Sequence, residues 1–150
     1  MPYSPERRLT SDKRLPHATA LIAAAFNLTP ADIRLSTFAE DTGEATDLVV
    51  SGSGLRIAVR IREPNQTAFK GEFTVRLSGS TSEFEKLRSG VVDYYFYAFA
   101  ADDYNVGSYW LMNARAGMLD NMLGDKEGDG YAFAYFKINP AAVVATSELN

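Results

Sequence analysis

Three carboxylates and a row of arginines carry the chemistry open to this chain. Asp47 stands just before one short apolar run, Glu72 opens a second and Asp93 interrupts a third. Carboxylates gathered from separate strands are the donor set for Mg²⁺ or Mn²⁺, hard cations that activate water for phosphodiester hydrolysis. Beside them lie Arg56, Arg60, Arg62 and Arg76, with Lys70 at their edge. Guanidinium forks match phosphate and carboxylate oxygens bidentately, which is the chemistry of holding a nucleic-acid backbone or an acidic protein segment. The residue types thus permit both cutting and holding, and their positions must choose.

The elements that position these side chains follow from periodicity. Residues 55–62 alternate most cleanly: Leu55, Ile57, Val59 and Ile61 fall on one face, Arg56, Ala58, Arg60 and Arg62 on the other. Residues 47–50 read as the preceding strand, with Ser51, Gly52, Ser53 and Gly54 as a tight turn. Phe73, Val75 and Leu77 continue the period-2 pattern, so the three segments are expected to form an antiparallel meander, apolar on one side. Upstream, Leu21, Ile22, Ala25 and Phe26 recur at helical spacing, predicting a helix over 15–28, with a short second helix starting at Thr29. Downstream, Ser80 with Glu83 or Ser82 with Glu85 forms a capping box, and Gly90 supplies a stop, which predicts a helix over 80–90. Residues 91–99, β-branched and aromatic, read as a buried strand. Further strands are expected over 108–112 and 131–138. A helix around Met118, Leu119, Met122 and Leu123 should end at Gly124, and a short terminal helix should follow Asn139 and Pro140. The expectation is an α/β (α+β) chain with a mixed sheet: an αβββαβ core flanked by helices, a single domain over 15–150 and an N-terminal arm over 1–14.

Composition narrows the function. At 150 residues, 46% hydrophobic and 23% charged, the chain suits one globular domain. Zero cysteines exclude disulfides, thiolate metal sites and cysteine nucleophiles, and the single histidine, His17, has no second imidazole for a zinc site. The net charge of −4 gives no overall polycation signature, yet residues 50–90 hold seven basic side chains against four acidic ones. Residues 91–150 reverse the balance, with three basic and eight acidic. No apolar run reaches the ~18–20 residues of a membrane helix. The run over 18–26 follows a basic stretch, but Glu6, Asp12 and Pro16 argue against a secretory signal, so a cytoplasmic chain without a membrane partner is expected.

The order of helix, three-strand meander, helix and strand resembles the PD-(D/E)XK, or restriction-endonuclease-like, superfamily over about residues 15–100. The resemblance implies an aspartate on one strand, and an acidic residue, a spacer and a lysine on the next, together holding a divalent cation. Asp47 lies where the first aspartate would be; Arg60, Ile61 and Arg62, thirteen residues on, lie where the tripeptide would be. Asp93, before a run of aromatics, is similar to an Asp-aromatic strand of that superfamily, and residues 72–100 resemble phage and prophage proteins of this fold. The departure is chemical. A guanidinium has donors only and cannot ligate Mg²⁺. Asp47 is expected instead to pair with Arg60 or Arg62 across the hairpin, and Glu72 has the parity of a displaced ligand.

Three functions follow as expectations. The first is a non-catalytic nuclease-fold binding module, a phage accessory or host-takeover factor holding nucleic acid or an acidic partner on its arginine face, with no cofactor. The bland alternative is that the arginine face is covered by a helix and neutralised by Asp47, Glu72, Glu83 and Glu85. The second is an Mg²⁺- or Mn²⁺-dependent endonuclease using Asp47 with Glu72 and Asp93. The third is a protein inhibitor whose acidic C-terminal third, Asp102, Asp103, Asp120, Asp125, Glu127 and Asp129, imitates phosphates. Most tyrosines on predicted strands read as core; Tyr104, Tyr109 and Trp110, nearer a loop, are the aromatic candidates for binding, and they permit a homodimer. Residues 125–130 mimic the start of a calcium loop, but position 12 would be Phe136, so an acidic hairpin turn is expected. His17 reads as structural.

Overall fold

A computed structural model describes residues 13–36, 48–63, 72–77, 83–128 and 131–147. The architecture centres on the most apolar strand. Strand β5 (Tyr94–Ala100) is buried on both faces, so it needs cover above and below. Leu15–Ala25 form helix α1; Ile33–Leu35, Leu48–Val50 and Arg56–Arg62 form β1, β2 and β3; Glu72–Arg76 form β4; and Glu83–Arg88 form helix α2. After β5 come β6 (Val106–Asn113), β7 (Met122–Gly128), β8 (Tyr131–Lys137) and β9 (Val143–Thr146). The chain is a single mixed α+β domain.

Six strands build one sheet in the order β1-β2-β3-β5-β6-β9, and three build another in the order β4-β8-β7. Strand β5 runs parallel to β3, while the other pairs are antiparallel. One face of the large sheet packs on α1, with Leu15, Ala18 and Ile22 against Ile57, Phe96, Ala98 and Leu111. The other face packs on the small sheet and α2, with Ala58, Tyr95, Tyr97, Phe99 and Met112 against Phe73, Val75, Leu87, Ala134 and Phe136. The layers are helix, sheet, then small sheet with its helix.

Several expectations change here. The antiparallel meander is β1-β2-β3, one strand earlier than expected, and β4 leaves it to pair with β8. Alternation shows that 72–76 is a half-buried strand, but both sheets offer such a strand an apolar face. The expected helix at 118–123 is instead a turn followed by β7: Met118 is buried, while Met122 and Leu123 are about half exposed. Two apolar doublets four residues apart also fit a turn and the start of a strand, and pairing with β8 decides between them. The terminal helix is only the 3₁₀ turn Pro140–Ala142 before β9, and the short helix after Thr29 is the 3₁₀ turn Pro30–Asp32. Helix α1 ends at Ala25 because Asn27 takes a left-handed φ of 58°, and the Leu28 N–H bonds to the Ala23 carbonyl at 2.8 Å. Among the described residues no helix is long and apolar enough to cross a membrane.

Candidate functional site

The parity of β3 directs Arg56, Arg60 and Arg62 to the same face as the fully buried Ala58, toward the small sheet. That face is covered by the small sheet together with α2, and the arginines are all half-buried. An apolar stem with a charged head permits this: the methylenes pack while the guanidinium emerges. Arg56 donates from Nη1 to the Val91 carbonyl at 3.1 Å. Arg60 donates from Nε to the Tyr95 hydroxyl at 3.2 Å, and that hydroxyl donates to the Thr74 carbonyl at 2.8 Å. Arg62 donates from Nη1 to the Thr74 hydroxyl at 2.6 Å. The Arg60 guanidinium also lies 5.8 Å from the centroid of the Phe133 ring, within cation–π range.

Strand β4 is an edge strand of the small sheet, and its register with β8 shows where these heads arrive. Phe73 opposite Phe136 and Val75 opposite Ala134 face the core, all fully buried. Glu72 opposite Lys137, Thr74 opposite Tyr135 and Arg76 opposite Phe133 therefore form the outward rows. Arg62 on Thr74 and Arg60 beside Phe133 thus pass the edge of β4 and join Arg76 and Lys137 on one face. Two half-buried aromatic rings, Phe133 and Tyr135, stand between them. Tyr135 pairs with Gly124 of β7, and a Cβ built on Gly124 would stand 3.0 Å from the Tyr135 hydroxyl and 3.2 Å from Cζ. The far end of the phenol therefore leans over the glycine. An open cleft between residues 120–123 and Lys137, Ile138 and Pro140 continues this face.

Sequence reasoning passed over Phe133 and Tyr135. The signal was their alternation with Ala132 and Ala134: a strand with alanine toward the core turns its aromatics outward.

The other candidates are placed as follows. Asp47 and Lys70 lie outside the described residues. Asp93 is engaged at the start of β5, where Oδ2 accepts the Arg56 main-chain N–H at 2.9 Å and Oδ1 meets Arg115 at 3.1 Å. Glu72 is half-buried on the small sheet, whereas Asp93 precedes β5 of the large one. Among the described residues no three of His, Asp and Glu converge as metal ligands. Arg60 and Arg62, where the nuclease resemblance asks for a carboxylate and a lysine, offer donors only. The described residues do not fit Mg²⁺ or Mn²⁺. Trp110 is 6% exposed and packs edge-on against Phe99. Tyr109 is half-buried and stacks on Phe96. Tyr104 is exposed, with the Lys13 ammonium 5.4 Å from its ring. Glu85 engages Arg88 at 2.7 Å; that contact raises the Arg88 pKa. His17 Nδ1 accepts the Val106 main-chain N–H at 2.8 Å, a structural role.

No protein-family model and no curated protein matches this sequence.

Proposed function

We propose that this chain is a non-catalytic binding module of nuclease-like fold that holds nucleic acid through its phosphates. The observation that carries the reading is the convergence of Arg60, Arg62, Arg76 and Lys137 on the outward face of β4 and β8. Arg60 and Arg62 are held in part by a phenol and a hydroxyl, and a guanidinium whose direction is already set loses less side-chain freedom when phosphate oxygens arrive. The course of the large sheet supports the nuclease resemblance: helix, β1-β2-β3 meander, then, after β4 has left for the small sheet, helix and β5 parallel to β3. Guanidiniums in the tripeptide position favour holding over cutting, since they attract phosphate but cannot coordinate the ion that hydrolysis by that family requires.

The test is fluorescence anisotropy with labelled oligonucleotides over a salt series, with polyglutamate as a competing polyanion. Arg76→Glu is the informative variant because Arg76 is exposed. Binding should weaken about tenfold, and the slope of log K against log salt should fall by roughly 0.7–0.9 for each phosphate that is no longer neutralised. Incubation with plasmid and Mg²⁺ or Mn²⁺ should leave the DNA intact. Absence of oligonucleotide binding at low salt, preference for polyglutamate, or metal-dependent cleavage would each overturn the reading.

A further inference from the structure

We infer that the outward face of β4, β8 and β7 is a stacking platform for single-stranded nucleic acid, with successive bases laid on Phe133 and Tyr135. This rests on the nucleic-acid reading above and names the form of the ligand. Two observations carry it beyond charge. The first is that both rings lie on the solvent side of the strand whose Ala134 and Phe136 fill the core. The second is the pairing of Tyr135 with Gly124: the far end of the ring occupies space that a Cβ at Gly124 would need, so the phenol leans across β7 over a residue without a side chain. The Arg60 guanidinium lies over the other ring, 5.8 Å from its centroid, and adds a cation to the platform.

Spacing selects the single strand. Residues two apart on a strand are about 6.6–6.8 Å apart, so the two rings offer surfaces at nearly twice the ~3.4 Å rise of a stacked duplex strand. In a duplex each base face is already covered by its neighbours, and no ring can reach it without unstacking. A single strand splays its bases freely, which is why sheets with exposed aromatics and flanking cations suit it. Arg62, Arg76 and Lys137 lie around the rings at positions suited to a backbone passing over them. Glu72, opposite Lys137, is a carboxylate on the same face and marks the end where a phosphate is least welcome.

The experiment compares a labelled deoxythymidine oligomer with a duplex of equal length, using wild type, Phe133→Ala, Tyr135→Ala, Tyr135→Phe and Arg76→Glu, each checked for folding by circular dichroism. The single strand should bind at least tenfold tighter than the duplex. Each alanine variant should weaken single-strand binding about tenfold with its salt slope unchanged, since stacking is a neutral interaction. Tyr135→Phe should restore binding. Ultraviolet crosslinking of the wild type, mapped by mass spectrometry, should place the adduct on residues 133–135, which keeps the test decisive if an alanine variant unfolds. Equal binding of duplex and single strand, crosslinks elsewhere, or full affinity in folded alanine variants while Arg76→Glu weakens binding would overturn the platform and leave the phosphate-holding reading standing. Failure of both nucleic acids to bind would overturn both.

Discussion

The buried phenol of Tyr95 donates to the Thr74 main-chain oxygen at 2.8 Å, joining the centre of the large sheet to the edge of the small one. An open strand edge invites pairing with other chains. Here the Tyr95 hydroxyl and the heads of Arg60 and Arg62 occupy that margin. Tyr95→Phe keeps the packing but removes the hydroxyl from both Arg60 and Thr74. The expected cost is about 1–3 kcal/mol in urea unfolding, the range for leaving buried polar groups unsatisfied. A variant as stable as wild type would mean that the phenol contributes packing alone.

His17 fixes helix α1 to the start of β6, its Nδ1 accepting the Val106 N–H at 2.8 Å. Asparagine places an oxygen close to where Nδ1 stands, whereas alanine leaves the N–H without this acceptor. His17→Ala should therefore reduce stability by about 1–3 kcal/mol, and His17→Asn by clearly less. Equal effects in chemical denaturation would show that the packing of the ring, not its nitrogen, matters.

Asp93 bonds the Arg56 N–H with one oxygen and meets Arg115, which is largely exposed, with the other. The exposed ion pair is worth under about 1 kcal/mol, because water and salt screen it. Asp93→Asn, which can still accept the N–H, should thus cost little. Asp93→Ala should cost about 1–3 kcal/mol. Thermal melts at low and high salt separate the two contributions: the aspartate-to-asparagine difference should shrink with salt and the alanine penalty should persist.

The carboxyl of Asp102 is held below the ordinary aspartate value near 3.8, first by the main-chain N–H of Tyr104 and then by the Asn105 side-chain amide. A carboxyl whose pKa is depressed by folding stabilises the fold above its unfolded value, and the contribution disappears as pH falls through the lower folded value. The β5–β6 turn should therefore loosen on the acid side of 3.8. Asp102→Ala should flatten that limb of the pH–stability curve while leaving its shape near neutrality unchanged. An identical acid limb in the two proteins would refute the assignment.

Gly124→Ala probes the seat of Tyr135 directly. The added Cβ would meet the hydroxyl at 3.0 Å and Cζ at 3.2 Å, the far end of a side chain able to swing away. Stability should change by less than about 1 kcal/mol, since surface substitutions of this kind are usually mild. Single-strand affinity should nonetheless fall several-fold because the ring is displaced from its place over Gly124. Unchanged affinity with a displaced ring would argue against the platform.

Parity made the amphipathic strands legible. The alternation of Ile57, Val59 and Ile61 with Arg56, Arg60 and Arg62 predicts both faces of β3, and the run from Tyr94 to Phe99 predicts a strand buried on both sides. Side-chain direction within a strand is a local property of the backbone, so sequence is sufficient for it. Partner choice is not local. Whether β4 would continue the meander or join β8, and whether Met122 would begin a strand or continue a helix, depended on which apolar face lay free elsewhere in the chain. The same holds for the proposed binding face. Its arginines come from β3 and β4, its rings from β8 and its glycine seat from β7, and only the packing of the small sheet over the large one brought them together.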